Sequence, residues 1–412
     1  MKTGYSTMRC GLIGGRLKHS FSPMIHSHLS DYSYELVELE EHQVGDFVRN
    51  GGFDAFNVTV PYKKTVIPFL DVVSAEANAI GAVNTVVRRD GRLYGYNTDY
   101  FGFSHMLDQS GISVRGKKTL VLGNGGACAT VCAVLRDRGV GQLTVISRKD
   151  NTPENLALYK NTQIIVNTTP VGMYPKNGDT PVDLSLFPLC EGVLDVIYNP
   201  SKTKLLLDAE SKGIPSINGL SMLVAQAVRA FELFVGDTAE DGLCEKITQL
   251  VDNTTKNIIL IGMPGCGKST VGKLIANKLN RQFHDADNVF TKTYGITPAE
   301  VIQAEGKEVF RQMEHKVTEE LGKLSGRVIA CGGGVVTREY NYNALRQNGT
   351  IVFLNRKLEN LTVKGRPISA AKGVEALYEE RKDAYIHFSH LQIDSTEIPE
   401  KTAELIIERL GL

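Results

Sequence analysis

Short runs of apolar residues alternate with amphipathic helical patterns along the whole chain. The runs, nearly continuous in Val, Ile and Leu, are MRCGLIG, AFNVTV, KKTLVLG, LTVIS, QIIVNTTP, GVLDVIY, NIILIG, RVIACGGG and TIVFL. Continuous apolar strands separated by helices are typical of parallel sheets that are covered on both faces. The pattern therefore predicts α/β domains built on buried parallel sheets.

The length of the chain indicates more than one domain. Its 412 residues exceed the roughly 250 to 300 that a single hydrophobic core supports. The segment LVDNTTKN, residues 250–257, is polar and follows a helical run that ends near Leu250. We place a domain boundary in this segment.

The composition is ordinary for a globular protein, with 42% hydrophobic and 22% charged residues. No apolar run approaches the roughly 20 residues that span a bilayer, and the N-terminal segment does not resemble a secretory signal. The seven cysteines are scattered and form no C-x-x-C pair, so we expect reduced thiols in the cytoplasm. Cys128 and Cys132 lie one helical turn apart without a nearby His or carboxylate, which favours packing over metal binding.

Bulk charge does not predict a nucleic-acid or membrane partner. Lys plus Arg and Asp plus Glu number 46 each, so the formal net charge is zero. Local clusters of arginine must therefore be interpreted as local sites. The sequence does not predict an oligomeric state.

The stretch ILIGMPGCGKST, residues 259–270, contains the complete pattern G-x-x-x-x-G-K-S between a strand and a helix. Backbone N–H groups of such a loop converge on phosphate oxygens, the lysine faces the β and γ phosphates, and the serine hydroxyl can bind Mg²⁺. The stretch predicts an ATP site at Gly262, Gly265, Gly267, Lys268, Ser269 and Thr270.

A second glycine loop lies in KKTLVLGNGGACATV, where Gly123, Gly125, Gly126 and Ala127 connect a strand to a helix. It resembles the dinucleotide fingerprint, although Cys128 occupies its last small position. The next strand is followed by Ser-Arg-Lys, whereas an NAD site has an acidic residue there. Arg148 suits the 2′-phosphate of NADP, so we predict an NADP site.

Polar clusters in the first hundred residues are candidates for substrate binding. They contain Ser20 and Ser22 before a helix that starts with proline, then Asn57, Thr59 and Lys63, and then Asn84 and Asp99. Each cluster alone is also compatible with turn chemistry, because Ser, Asn and Asp cap helices and form turns.

In this order the clusters resemble shikimate dehydrogenase, and the resemblance continues through NTTPVGM, DVIYNPSKTKLL and NGLSMLVAQAVRAF, over about residues 8–236. It implies a substrate-binding α/β domain of about residues 1–100 plus returning helices in 219–250, and a Rossmann-like NADP domain of about residues 101–218. It also implies reduction of 3-dehydroshikimate to shikimate by NADPH.

The resemblance also implies roles for single residues. It implies Ser20, Ser22 and Tyr198 near the substrate carboxylate, Thr59, Asn84, Asp99 and Gln226 on the ring hydroxyls, and Lys63 beside the reacting oxygen. Hydride delivery to a ketone builds negative charge on oxygen, and a lysine oriented by Asp99 can stabilise that charge and move a proton. The segment from Ser147 to Asn167 is shorter than the family pattern, so we expect a truncated helix after the second strand of this domain.

The second half contains a further ordered set of motifs: RQFHDADNVF, EVFRQME, ACGGGVV, KGRPIS and EERKDAY. Together with the phosphate loop they resemble shikimate kinase over about residues 257–410, which implies a P-loop kinase domain with a parallel sheet at 257–412. Asp285 and Asp287 alternate at a predicted strand end, so the pattern does not require that both face one site.

The resemblance implies Asp285 in the Mg²⁺ shell, Asp287 on the attacking hydroxyl, and Arg311 and Arg381 on the substrate carboxylate. It implies that Gly332, Gly333 and Gly334 let the substrate approach the backbone, and that Arg366 belongs to a lid over the γ-phosphate. The lid segment is short and lacks the arginine that the family pattern places near residues 361–363.

The combined prediction is one enzyme with two activities, which makes shikimate with NADPH and then phosphorylates it with ATP on the way to aromatic amino acids. The alternatives left open for the first half are a preference for quinate or a non-catalytic regulatory role. Those for the second half are another small-molecule kinase, such as one for gluconate, or a nucleotide-sensing module.

Overall fold

A computed structural model describes residues 3–17, 20–361 and 373–412 of the chain. The chain divides into two compact units. The first comprises Met1–Met173, Asp179–Tyr198 and Lys204–Val251, and the second comprises Tyr174–Gly178, Asn199–Thr203 and Asp252–Leu412. Within the described ranges, no helix is both long enough and apolar enough to cross a membrane.

The first unit begins with a six-stranded sheet in the order β2-β1-β3-β5-β6-β4. Its strands are β1 (Arg9–Gly14), β2 (Ser33–Glu38), β3 (Ala55–Val58), β4 (Val72–Val73), β5 (Thr85–Arg89) and β6 (Arg92–Tyr96). The accompanying helices are α1 (Ser22–Leu29), α2 (Val44–Asn50), α3 (Ala75–Ile80) and α4 (Thr98–Ser110).

This sheet is mixed, whereas the apolar runs indicated parallel strands; the predicted α/β class is confirmed. β5 is antiparallel to both β3 and β6. For β5 and β6 the cause is the Asp90-Gly91 pair between them, whose φ angles of 49° and 74° form a tight two-residue hairpin. Helices cannot be inserted into so short a connection, so the two strands must run in opposite directions.

The second sheet of the first unit has five parallel strands in the order β11-β10-β9-β7-β8. They are β7 (Lys118–Leu122), β8 (Gln142–Ile146), β9 (Ile164–Asn167), β10 (Gly192–Asp195) and β11 (Ser216–Ile217). Its helices are α5 (Gly126–Asp137), α6 (Pro153–Ala157) and α7 (Lys204–Ser211), whereas α8 (Leu220–Val235) and α9 (Leu243–Thr255) pack in one core with Cys10, Ala55 and Val87 of the first sheet. The predicted truncated helix is confirmed as α6, which has five residues.

The second unit contains a parallel sheet in the order β13-β14-β12-β15-β16, as predicted. Its strands are β12 (Asn257–Ile261), β13 (Phe283–Asp285), β14 (Val328–Ala330), β15 (Gly349–Asn355) and β16 (Leu391–Asp394). Its helices are α10 (Lys268–Lys278), α11 (Ala286–Tyr294), α12 (Pro298–Ala304), α13 (Lys307–Gly322), α14 (Tyr340–Arg346), α15 (Val374–Phe388) and α16 (Pro399–Leu410). β12 is fully buried between its neighbours, so the loop that follows it emerges at the centre of the sheet.

The segment predicted as a polar boundary, residues 250–257, is mostly helical. α9 continues to Thr255, because Ile247 and Val251 are buried on one face and Lys256 Nζ lies 2.5 Å from Asp252 Oδ2. The division between the two units at residues 251 and 252 falls inside this segment. The domain ranges stay a prediction, because a compact unit is not by itself an independently folding one.

Gly322 at the end of α13 provides a test of packing in the second unit. A Cβ atom there would overlap the carbonyl oxygen of Ala344 in α14. We expect Gly322→Ala to lower the free energy of unfolding by about 1 to 3 kcal/mol, despite the better helix propensity of alanine. Urea unfolding measures the change. Lys316→Ala, at an exposed position of α13, is the control and should leave stability nearly unchanged; equal stability of the two variants would contradict the packing.

Candidate functional sites

The phosphate loop of the second unit depends on glycine for its conformation. Gly262, Gly265 and Gly267 have φ angles of 146°, 87° and 102°, which other residues rarely adopt. A Cβ atom on Gly262 would also lie 2.5 Å from the carbonyl oxygen of Leu354. The loop leads from β12 directly into α10, so its N–H groups and the positive end of the helix dipole face one place.

Lys268 is the first residue of α10 and only 9% of it is exposed. Its Nζ donates hydrogen bonds to the carbonyl oxygens of Gly262 and Met263, at 2.9 and 3.0 Å. The backbone carbonyls of the loop thus hold the Lys268 ammonium beside the loop. A phosphate group would offer that ammonium a stronger, charged acceptor.

A cavity of about 730 Å³ adjoins this loop, and most residues predicted for the second half line it. Those residues are Gly265, Gly267, Lys268, Ser269, Thr270, Asp285, Asp287, Arg311, Gly332, Gly333, Gly334 and Arg381. The predicted Arg366 lies outside the described residues. The cavity is large enough for a small-molecule ligand.

Asp285 and Asp287 line the same cavity, a point that the sequence pattern left open. β13 ends at Asp285, and Asp287 already belongs to the first turn of α11. The Asp285 carboxylate caps this helix by accepting from the backbone N–H of Asp287 at 3.1 Å. Its other oxygen accepts from Ser269 Oγ at 2.5 Å, so two oxygen donors of the type that Mg²⁺ prefers lie together.

Arg311 is held by a buried ion pair with Glu314, one helical turn further along α13. Only 2% of Arg311 is exposed. Burial raises the pKa of Glu314, and the neighbouring Arg311 opposes that shift. A Cβ atom on Gly334 would overlap the Arg311 guanidinium, and one on Gly333 would lie 2.7 Å from Pro264 Cδ. The glycine run therefore makes space for protein side chains; its predicted role toward a substrate stays a prediction.

Arg381 adds a second guanidinium that is only partly satisfied. It is 2% exposed, and its Nη1 donates to the carbonyl oxygen of Gly333 at 2.8 Å. Within the described part of the chain, Nε and Nη2 of Arg381 and Nε of Arg311 have no hydrogen-bond partner. Buried donors without acceptors cost free energy, so an acceptor such as a carboxylate would be bound favourably here.

Sequence reasoning missed two charged residues of this region, Glu314 and Arg356. Glu314 lies in the quoted motif EVFRQME, one turn from Arg311, and that spacing was a usable signal. Arg356 directly follows β15, at the carboxyl edge of the parallel sheet where ligands bind. It lines both the main cavity and a second cleft of about 580 Å³ that contains Tyr378, Asp394 and Thr396.

In the first unit, the second glycine loop connects β7 to α5. Gly123 has φ of 105°, and a Cβ atom on it would lie 2.7 Å from Thr168 Oγ1. Gly125 and Gly126 open the helix, with Ala127 in its first turn. A Cβ atom on Gly126 would lie 3.8 Å from Lys63 Cδ, so the loop and the predicted catalytic lysine are neighbours.

The other residues of the predicted NADP site differ in how far they are buried. Arg148 follows β8, the edge strand of its sheet, and is exposed. Ser147 donates a hydrogen bond to Asp150 across the turn that carries Arg148. Cys128 and Cys132 are buried in α5 with their sulfur atoms 3.8 Å apart, so the prediction that they pack is confirmed.

Lys63 and Asp99 form a close pair beside this loop, as predicted. Lys63 Nζ lies 2.5 Å from Asp99 Oδ2, and the two side chains are 16% and 10% exposed. The backbone carbonyl of Lys63 accepts from Val83 N–H at 2.8 Å, whereas Lys64 next to it is exposed. The arrangement holds a cation at a place that solvent reaches only partly.

Asn84 is buried and already engaged. Its Oδ1 accepts from the backbone N–H of Thr98 at 2.7 Å, and its Nδ2 donates to Thr98 Oγ1 at 3.1 Å. Gln226 on α8 donates to the carbonyl oxygen of Leu223 at 2.8 Å. Thr59 packs beside Gly14, where a Cβ atom would lie 2.6 Å from its methyl carbon. The ligand roles predicted for these side chains stay predictions.

The predicted carboxylate-binding residues lie at the start of α1 and after β10. Ser20 Oγ accepts from the backbone N–H of Ser22 at 3.2 Å. Phe21 between them packs on Tyr198, with ring centroids 5.3 Å apart. The contact brings the two predicted groups together, and burial raises the pKa of the Tyr198 hydroxyl.

Known families match both parts of the chain. A family described as shikimate dehydrogenase substrate binding domain matches residues 12–86, and one described as shikimate kinase matches residues 264–411. The shikimate dehydrogenase (NADP(+)) of Clostridium beijerinckii is 37% identical over 267 residues, covering 60% of this chain and 98% of that protein. That of Caldanaerobacter subterraneus is 39% identical over 276 residues, covering 60% and 99%.

Solved structures show the same similarity in three dimensions. Shikimate dehydrogenase 1 from Peptoclostridium difficile is 35% identical with a TM-score of 0.55, and the match covers 59% of this chain and 97% of that one. The enzyme from Thermus thermophilus in complex with NADP(H) and shikimate is 32% identical with a TM-score of 0.52, and the match covers 59% and 99%.

Proposed function

We propose that this chain, which belongs to the shikimate dehydrogenase family over its first three fifths and carries a shikimate kinase domain behind it, catalyses two successive reactions. The first is NADPH-dependent reduction of 3-dehydroshikimate to shikimate. The second is ATP-dependent phosphorylation of shikimate to shikimate 3-phosphate. The observation that carries the proposal is that one chain holds the Lys63–Asp99 pair beside a dinucleotide loop and two incompletely bonded arginines in a phosphate-loop cavity.

In the first reaction, Lys63 stabilises the charge that develops on the substrate oxygen. NADPH supplies the hydride when it is bound. The Lys63 ammonium donates a hydrogen bond to that oxygen and can pass a proton to it, while the Asp99 carboxylate orients the ammonium. Ser20, Ser22 and Tyr198 hold the substrate carboxylate at the other end of the ring.

In the second reaction, Arg311 and Arg381 bind the carboxylate of shikimate through their remaining N–H groups. Asp287 orients the hydroxyl that attacks the γ-phosphate, and Lys268 exchanges its loop carbonyls for phosphate oxygens. Ser269 and Asp285 are the residues that would hold Mg²⁺, which neutralises phosphate charge when bound. Catalysis then consists of positioning and charge stabilisation.

The second cleft is the place where we propose that the nucleoside of ATP binds. Arg356 belongs to both the cleft and the phosphate-loop cavity, so one extended ligand can occupy both. The cleft lies at the carboxyl edge of β15 and β16, where parallel sheets bind ligands.

We place the enzyme in the cytoplasm, a proposal supported by the free thiol state of all seven cysteines.

Separate single substitutions should remove the two activities independently. Lys63→Ala removes the cation beside the reacting oxygen, so shikimate oxidation with NADP⁺ should fall by at least a hundredfold while phosphorylation continues at the wild-type rate. Lys268→Ala should do the reverse. Both activities are measured on both variants, with thermal unfolding as the control for stability. Loss of both activities in one folded variant would contradict two separate sites.

The choice of NADP should depend on Arg148. We expect Arg148→Ala to weaken NADP⁺ binding by about 1.5 to 3 kcal/mol, because one charge-assisted contact to the 2′-phosphate is lost. NAD⁺ lacks that phosphate, and its KM should scarcely change. Arg136→Ala is the matched control, because it removes an exposed arginine near the end of α5 that lies away from the glycine loop. Equal losses for the two cofactors would exclude Arg148 from phosphate recognition.

The shape of the Arg311 side chain should matter as much as its charge. Arg311→Lys keeps the charge but loses the planar group that bonds a carboxylate through two N–H groups, so the KM for shikimate in phosphorylation should rise at least tenfold. The KM for ATP should change little. Arg338→Lys changes an arginine whose side chain is 35% exposed and should have no effect. An unchanged shikimate KM in Arg311→Lys would remove Arg311 from the site.

A further inference from the structure

Thr85, the first residue of β5, is a buried residue without a role in the mechanism described above. Its exposed fraction is 0%. Its Oγ1 lies 3.1 Å from each of three polar atoms, Asn57 Nδ2, Asn84 Oδ1 and Thr98 Oγ1. A hydroxyl donates one hydrogen bond and accepts two, so these three partners use its whole capacity.

The neighbours determine the direction of most of these bonds. The backbone N–H of Thr98 can only donate, so the Asn84 oxygen faces it at 2.7 Å and also accepts from the Thr85 hydroxyl. Asn57 accepts from the Tyr34 hydroxyl at 2.7 Å and therefore turns its amide N–H toward Thr85. The Thr98 hydroxyl accepts from Asn84 Nδ2 and shares a hydrogen bond with the Thr85 hydroxyl in which either oxygen can donate, and Asn84 Oδ1 is a second acceptor for it at 3.2 Å. Every donor in this set has at least one acceptor.

This network ends at the catalytic pair. Thr98 is the first residue of α4, and Asp99 follows it and holds Lys63. Val83, two residues before Thr85, donates its N–H to the carbonyl of Lys63. The residues at the start of β5 therefore bond both the backbone of Lys63 and the first turn of α4, which carries Asp99.

We propose that Thr85 is a positioning residue of the dehydrogenase site. Its hydroxyl fixes the orientation of the Asn84 amide and the first turn of α4, and through Asp99 it sets the place of the Lys63 ammonium. The inference rests on the proposed function, because it assigns Thr85 to the reduction and oxidation of the shikimate ring. Thr85 itself does not contact the reacting atoms in this assignment.

Thr119 provides a matched comparison. It lies in β7 of the same unit and is 2% exposed, yet its Oγ1 has no hydrogen-bond partner among the residues that the structure describes. Replacing it with valine removes a hydroxyl of the same kind and depth without breaking a network. Any effect of Thr85→Val beyond that of Thr119→Val therefore belongs to the hydrogen bonds and not to the loss of a buried oxygen.

The kinetic test compares Thr85→Val, Thr85→Ser and Thr119→Val in the full chain. We expect Thr85→Val to lower kcat for shikimate oxidation about tenfold and to raise the KM for shikimate severalfold, with the KM for NADP⁺ and the rate of phosphorylation within about twofold of wild type. Thr85→Ser keeps the hydroxyl and should restore most of the rate. Wild-type kinetics in a folded Thr85→Val, or a serine variant as impaired as the valine variant, would overturn the proposal.

Hydrogen exchange measures the anchoring itself, independently of turnover. In Thr85→Val the amide of Thr98 loses a fixed acceptor, so residues 97–101 should exchange faster, and Thr119→Val should leave them unchanged. Unaltered exchange in Thr85→Val would overturn the positioning role.

A wild-type chain that does not oxidise shikimate would instead overturn the proposed function, and the hydrogen exchange would still decide whether Thr85 anchors the first turn of α4. If Thr85→Val does not fold, Thr85→Cys, of similar size and only a weak donor, takes its place.

Discussion

A charged side chain that is withdrawn from water must have an opposite charge or a hydrogen-bond acceptor, and both sites are organised by this requirement. In the first unit the Asp99 carboxylate holds the Lys63 ammonium at 2.5 Å. In the second unit Glu314 pairs with Arg311, and a loop carbonyl accepts from Arg381. The cations are therefore oriented before any ligand binds. Their remaining N–H groups are the ones that a substrate oxygen can use.

The glycines near these cations follow from the same requirement. Close packing of a cation against backbone leaves no room for a Cβ atom at Gly334 beside Arg311, whereas a Cβ atom on Gly126 would make only an ordinary contact with Lys63. The sequence pattern attributes these glycines to a ligand that approaches the chain. The contacts of Gly334 show that it makes room for the Arg311 guanidinium. Its effect on a ligand is therefore indirect, through the position of that arginine.

Local patterns were sufficient wherever the determining interaction is local. The apolar runs located the central strands of both parallel sheets, because burial on both faces requires such runs, but they did not locate the edge strands β11, β13 and β16. The first sheet was predicted as parallel although the Asp90-Gly91 turn signal was present in the sequence. The sequence left open whether Asp285 and Asp287 face one site, and the structure brings both to one cavity, with Asp285 at the end of β13 and Asp287 in the first turn of α11.

The sequence by itself determined the two glycine loops, the order of the motifs and the identity of most candidate side chains, because each depends on residues that are close along the chain. Only the tertiary structure decided that Lys63 lies beside Gly126, that Arg356 joins two clefts, and that the hydroxyl of Thr85 bonds Asn57 and Thr98. These partners come from different strands, helices and loops. Their spacing in sequence carries no period that could indicate a contact, so sheet order and chain direction had to be known first.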